Sequence, residues 1–342
     1  MSLQNLQVHT ITQRKSLKIS GTKTSVTKNQ ILVSTGIVSL DAILDGGIPV
    51  GTSFLVEEEG HGRNADLILK HFISEGITCG HLILISSAEV APEKIKKDLP
   101  RSINEENIKQ PENDDDLKIA WRYKQNPIID STPNHISFSF GHTFDISVKL
   151  SVNEIENVKC WPEKDDQLYS YSKLYNYIQH IIECGFSIKI PVEQRNILKI
   201  TISDLCSPLW DSTEMDVIQF LYKLRILLRS SYATCLITTK LQIIDAITKS
   251  RMEHLTDTVI KLKSMELSSC ADYNGKLIIE KLASFNTFLY EPSSVDWATK
   301  LTRKKLCIEK LHLPPCIENN ENHEKAEKTQ LPSCSLGSSI NF

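Results

Sequence analysis

The chain has 342 residues, with 39 Lys and Arg against 42 Asp and Glu and a formal net charge of −3. That length accommodates one large or two small domains with a sizeable core, and the near balance of charge excludes wholesale coating by nucleic acid, so any RNA or DNA contact falls to a local patch. The nine cysteines form no C-x-x-C pair. With no signal-peptide pattern and no apolar run of about 18 residues, they point to a reducing cytoplasmic or nuclear setting, away from membranes.

Residues 1–30 hold Arg14, Lys15, Lys18, Lys23 and Lys28 and no acid, the composition of a disordered basic arm or solvated leader. The domain is expected to begin near Ile31 and to run over 31–311. Thr35–Asp45 reads as a helix, Gly46–Gly51 as a turn and Ser53–Val56 as a buried strand. The run Thr-Gly-x-x-x-Leu-Asp, then Gly-Gly-x-Pro-x-Gly, then a strand resembles the opening of a RecA-type nucleotide-binding domain. A phosphate-binding loop should follow, with glycines to wrap phosphates, a Lys for their charge and a Ser or Thr for Mg²⁺. Instead the chain continues Glu57-Glu58-Glu59-Gly60-His61-Gly62-Arg63-Asn64-Ala65. Asn64 takes the Lys position and Ala65 the Ser/Thr position. A shift of one residue lets Arg63 stand for the Lys but leaves Asn64 as a poor Mg²⁺ ligand. Three carboxylates are expected where a triphosphate would lie, and like charges repel there. An ordinary strand–turn–helix with surface acids is the plainer alternative.

Apolar Leu67, Ile68, Leu69, Phe72 and Ile73 predict a helix over Asp66–Glu75, with Gly76 as its C-terminal cap. Gly80–Ser86 has the short apolar composition of a buried parallel strand. Leu99–Asp116 (an insertion over about 99–117) reads as an exposed loop, and the aromatic stretches Lys118–Tyr123 and Phe138–Asp145 follow. Leu168–Cys184 is an amphipathic helix closed by Gly185. Asn196–Asp204 is a buried strand ending in a carboxylate, where a Mg²⁺-directing Asp204 would sit. Glu214–Arg229 is the clearest helix, and Ala233–Thr239 is another buried strand.

The connection Lys240–His254 carries Lys240, Lys249, Arg251 and His254 as candidate phosphate contacts; a solvated helix explains them equally well. Leu255–Leu262 and Lys276–Leu282 read as paired strands joined at the Asn274-Gly275 turn, and Lys304–Leu311 as a last helix or strand. Residues 312–342 have the composition of a disordered tail. His312, Cys316, His323 and Cys334 within it fit no zinc spacing, and no metal site is expected.

Taken in order, Ser34-Thr35-Gly36-Ile37-x-Ser39-Leu40-Asp41, Gly46-Gly47-x-Pro49-x-Gly51, Phe72-x-x-Glu75-Gly76, Lys118-Ile119-Ala120-Trp121-Arg122-Tyr123, Phe140-Gly141-His142-x-Phe144-Asp145, Ser207-Pro208-Leu209-Trp210 and Leu255-Thr256-Asp257-Thr258-Val259 resemble the PAXNEB family, the fourth-subunit family of the Elongator complex. The resemblance covers about 31–310. It implies an α/β, RecA-like fold with a central, mostly parallel sheet flanked by helices and a degenerate phosphate loop at Glu58, Gly60, Gly62, Arg63, Asn64 and Ala65. It implies a hetero-hexameric ring with Elongator subunits 5 and 6, two copies of each, bound to the larger catalytic subcomplex that modifies the wobble uridine (U34) of certain tRNAs. The ring binds tRNA, and ATP, held at ring interfaces through partner subunits, lowers that binding. No cofactor and no catalytic residue is assigned to this chain itself. Trp121, Arg122, Tyr123 and Trp210 are the candidate interface residues, because aromatics and Arg combine area with directed hydrogen bonds. The alternatives are an active recombinase-type ATPase acting on DNA and a pure scaffold subunit.

Overall fold

The structure is a computed structural model, and it describes residues 19–25, 29–60, 62–103, 140–151, 154–162, 169–191, 194–211, 214–264, 273–283 and 296–311. The expected residues Trp121, Arg122 and Tyr123, His61, and the tail 312–342 lie outside the described residues.

The chain opens with a small sheet, β1 (Thr22–Ser25), β2 (Gln30–Val33) and β3 (Ile48–Pro49), with the short helix α1 (Val38–Ile43) between the last two strands. β1 falls inside the segment expected to be a disordered arm. It is ordered because it pairs antiparallel with β2, and because Ile19 just before it enters the core. β4 (Ser53–Glu59), α2 (Asn64–Thr78) and β5 (Leu82–Ser87) form the first βαβ unit. Then come α3 (Pro92–Lys97), the paired β6 (Pro100–Ser102) and β7 (Phe144–Lys149), β8 (Val158–Trp161) and α4 (Tyr171–Gly185). β9 (Leu198–Ser203), α5 (Glu214–Arg229), β10 (Ala233–Lys240), α6 (Ala246–Leu255) and β11 (Thr258–Ser264) complete the parallel part; β12 (Gly275–Lys281), β13 (Trp297–Leu301) and β14 (Leu306–Lys310) end it.

The main sheet runs β14-β13-β12-β11-β4-β10-β9-β5-β8. All neighbours from β11 to β8 are parallel, and the three strands at the other edge are antiparallel. The strand before the phosphate-loop position, β4, lies between two later strands, β10 and β11. This is the RecA-like arrangement, and the α/β expectation holds.

Alternation along each strand divides the core into two layers. Phe54 and Val56 of β4 face Ile68, Phe72 and Ile73 of α2, while Leu55 faces the layer of α4, α5 and α6 through Ile178, Leu224 and Met252. A fully buried side chain of this size contributes about 1.5–3 kcal/mol, so both layers are strongly tied to the sheet.

Three local expectations change. Gly76 does not cap α2: it lies within the helix, where a Cβ would strike Ile83 and the Lys199 stem, so its place is dictated by close packing. β12 does pair with β11, but Ser264 opposes Gly275, so ten residues join them instead of a two-residue turn. Leu255 ends α6 and does not begin a strand, since the Thr256 N–H still bonds back to the Met252 carbonyl.

Candidate functional site

The expected phosphate site is the junction of β4 and α2. Strand alternation puts Glu57 and Glu59 on one face of β4 and Glu58 on the other, so the three carboxylates expected where a triphosphate would lie do not share one face. Glu59 is half exposed and lies 3.8 and 3.5 Å from the ammonium groups of Lys261 and Lys263. Glu57 points into the α6 layer and is fully buried; Lys249 Nζ lies 3.7 Å away, and neither Glu57 oxygen has a hydrogen bond. Burial, together with the neighbouring Glu253 charge, pushes the Glu57 carboxyl up to about 7.

Glu58 turns the other way, toward the start of α2. Its Oε1 accepts the Asn64 N–H at 2.9 Å, and the Ala65 N–H also bonds to the carboxyl. These are donors that an anion at a helix N-terminus would otherwise take. Burial raises the Glu58 carboxyl, and the two N–H groups oppose that rise. A Cβ at Gly62 would overlap Glu58 Oε1, so this glycine makes room for the chain's own carboxylate. Arg63 occupies the N-cap position without a side-chain cap bond. Where bound phosphate would meet backbone N–H groups, this chain has placed its own acid.

Asp204 ends β9 as expected, in a left-handed conformation (φ 51°). Its Oδ2 accepts the Ser203 hydroxyl at 2.9 Å, Lys240 Nζ lies 3.4 Å from Oδ1, and Lys240 also pairs with Glu89 at 2.6 Å. Asp204 thus belongs to an ion-paired cluster at the sheet end, where burial raises its carboxyl.

The four candidate phosphate contacts separate. Lys240 serves that acid cluster, and Lys249 lies between Glu57 and Glu253, 3.1 Å from the latter. Arg251 and His254 are exposed on α6. Asp245 caps this helix through the Ile247 and Thr248 N–H groups.

Trp210, expected at an interface, is 4 % exposed. It stacks on Tyr171 at 4.7 Å and on Trp161 at 5.8 Å, and its Nε1 donates to the Asp204 carbonyl at 3.1 Å. Packing and a satisfied N–H explain why it belongs to the core; the exposed members of its motif are Pro208 and Leu209.

Several motif residues do structural work that their spacing did not disclose. Asp41 accepts the Thr35 N–H at 2.8 Å, the Thr35 hydroxyl at 2.7 Å and the Ser34 hydroxyl. A Cβ at Gly36 (φ 83°) would collide with the His71 carbonyl. Asp257 accepts the Ser53 N–H at 3.0 Å and Arg229 at 2.6 Å, and Arg229 donates to the Gly51 carbonyl at 2.8 Å. The Gly-Gly-x-Pro-x-Gly turn, the start of β4 and the end of α5 are therefore held by the Asp257–Arg229 pair.

A second polar cluster, which the sequence reading missed, lies at the far end of α2. Lys199 of β9 is fully buried, donates to the Ser34 and Phe72 carbonyls at 2.9 and 3.2 Å, and lies over the Phe72 ring. Burial lowers its ammonium, and the Glu75 charge opposes that shift. Glu75 accepts the His142 N–H at 3.0 Å and faces its Nδ1 at 3.1 Å. Burial alone would raise Glu75, but the His142 hydrogen bonds and the Lys199 charge outweigh it and hold the carboxyl at about 2. The available signal was that Glu75 and His142 stand in two of the motifs, Phe72-x-x-Glu75-Gly76 and Phe140-Gly141-His142-x-Phe144-Asp145.

A family model described as PAXNEB protein matches residues 15–342. The chain is 36% identical over 347 residues to a protein of Homo sapiens named Elongator complex protein 4, covering 89% of this chain and 81% of that one. It is 34% identical over 365 residues to the Mus musculus protein of the same name, covering 94% and 86%, and 31% identical over 340 residues to that of Dictyostelium discoideum, covering 86% and 77%. Among solved structures, the KaiC-like protein PH0186 of Pyrococcus horikoshii OT3 aligns over 81% of this chain and 98% of its own, with a TM-score of 0.48 and 13% identity.

Proposed function

This chain belongs to the PAXNEB family, and from that premise we propose that it is a non-catalytic RecA-like subunit of the Elongator complex. In this reading it joins subunits 5 and 6, two copies of each, in a hetero-hexameric ring that binds tRNA and supports modification of the wobble uridine by the larger subcomplex, in cytoplasm and nucleus. The observation that carries the non-catalytic part is Glu58 at the N-terminus of α2. A phosphate there must displace a carboxylate that already accepts the Asn64 and Ala65 N–H groups, in a loop without a Lys or a Ser/Thr at the required positions. The phosphate loop is degenerate in residue type and filled in geometry, so nucleotide used by the ring is held through partner subunits.

Within the ring, tRNA contact by this chain falls on the exposed side of α6, where Arg251 and His254 lie. Interface contacts fall on exposed groups such as Leu209 and not on the buried Trp210 ring. The test of assembly is the mass, by light scattering on a sizing column, of this chain co-expressed with subunits 5 and 6. A six-membered particle holding two copies of this chain is expected. A monomer that binds ATP by itself would overturn the reading in favour of a recombinase-type ATPase.

A further inference from the structure

The cluster at the far end of α2 uses motif residues that the proposed function leaves idle. Glu75 lies in the last turn of α2 and Cys79 is the C-cap residue that follows it, and the i, i+4 spacing puts both on one face. His142, from the segment leading into β7, crosses over to them. His142 Nδ1 is 3.1 Å from Glu75 Oε1, Cys79 Sγ is 3.3 Å from the same oxygen, and all three donor atoms lie within 4.8 Å of one another. Among the described residues this is the one group of three or more His, Cys, Asp or Glu whose donors converge in this way.

The edge lengths suit a particular ion. Tetrahedral zinc, with bonds of about 2.0–2.3 Å, holds its oxygen and nitrogen ligands about 3.3 Å apart and its sulfur and oxygen ligands about 3.5 Å apart. The observed edges are within a few tenths of an ångström of both. Ligand type agrees as well, since zinc takes thiolate, imidazole and carboxylate together, whereas Mg²⁺ and Ca²⁺ favour all-oxygen sets and would leave the thiolate and imidazole unused. A carboxylate and a thiolate would balance a divalent charge. Lys199 does not obstruct the site, because it directs its hydrogen bonds to the Ser34 and Phe72 carbonyls and leaves both Glu75 oxygens to the His142 side. Access is present on one side: the His142 side chain is 23% exposed, against 1% for Glu75. We propose that Glu75, Cys79 and His142 form a zinc-binding site that fastens α2 to the segment before β7, with water in the fourth position.

The experiment is metal titration of the purified full-length chain, read by elemental analysis after desalting and by the visible spectrum of the cobalt(II) form. One equivalent of zinc should be retained. Cobalt(II) should show tetrahedral ligand-field bands and a thiolate charge-transfer band. Cys79→Ser should lose the charge-transfer band, and His142→Gln, which keeps an amide toward Glu75, should weaken zinc binding by about tenfold or more. A Cys316→Ser/Cys334→Ser variant should leave stoichiometry and spectrum unchanged, which separates this site from the cysteines and histidines of the tail. A folded wild-type chain that retains no zinc, or cobalt(II) bound without a thiolate band, overturns the proposal. So does zinc binding that a folded Cys79→Ser or His142→Gln chain keeps at full affinity while the tail variant loses it.

Discussion

The two ends of α2 dispose of their polar groups in opposite ways. At the N-terminal end, where a RecA-like ATPase meets phosphate, the free N–H groups are taken by Glu58 from the preceding strand. At the C-terminal end, Glu75 reaches across to His142 from a distant segment, beside a fully buried Lys199. The first end is closed by a residue six positions away, and the second is assembled from residues tens of positions apart. A helix can therefore keep the frame of a nucleotide-binding fold while the ligand-facing end is filled and the other becomes the polar anchor.

The largest effect should come from the C-terminal end. Lys199→Met leaves Glu75 and Asp41 buried without their cation, and removing one partner from such a set costs about 3–5 kcal/mol. Chemical denaturation should show that loss; a change below about 1 kcal/mol would mean that Lys199 is not the anchor.

Next is Glu57, the neighbour that lacks what Glu58 has found. Its carboxyl is raised to about 7 in the fold, against an ordinary value of 4.5. The folded state holds the proton more tightly, so this group's contribution is most favourable below about pH 4 and is progressively lost as pH rises toward 7. Glu57→Gln should raise stability at pH 8 by up to about 3 kcal/mol and flatten the pH dependence between 4 and 7. Thermal melts across that range check it; an unchanged profile would show that Glu57 finds partners in solution.

Glu58→Ala should be milder. It removes the acceptor at the start of α2 and should cost about 1 kcal/mol, as loss of a helix cap does. A gain in stability would show that desolvation of this carboxylate outweighs its two hydrogen bonds.

Smallest in stability is Arg251→Glu on the exposed side of α6, expected to change folding by less than about 0.5 kcal/mol. In the assembled ring it should lower the salt dependence of tRNA binding by about one phosphate contact. An unaltered salt slope would remove α6 from the tRNA surface.

The long elements were legible in the sequence because each carries its own period. The bounds of α5 agree at both ends, and the buried strands β5, β9 and β10 stand out as short apolar runs. β1 was not legible, since Thr22–Ser25 is polar and basic and becomes a strand only by pairing with β2. β13 was missed for a similar reason: its Trp-Ala-Thr-Lys-Leu run is ordered by β12 and β14 on either side. At the candidate site, the missing Lys and Ser/Thr could be read from residue identities, but the separation of Glu57 from Glu58 needed the strand to extend through both. The Glu75–His142 contact bridges 67 positions, and no local spacing encodes a pairing of that length.

In the proposed reading, the chain's own Glu58 closes the junction of β4 and α2 to nucleotide. Equilibrium dialysis of the full-length chain alone against Mg²⁺·ATP tests it most directly. No saturable binding at millimolar nucleotide is expected. Saturable binding of one equivalent, lost on Arg63→Ala, would contradict it and return the chain to the nucleotide-binding members of its fold.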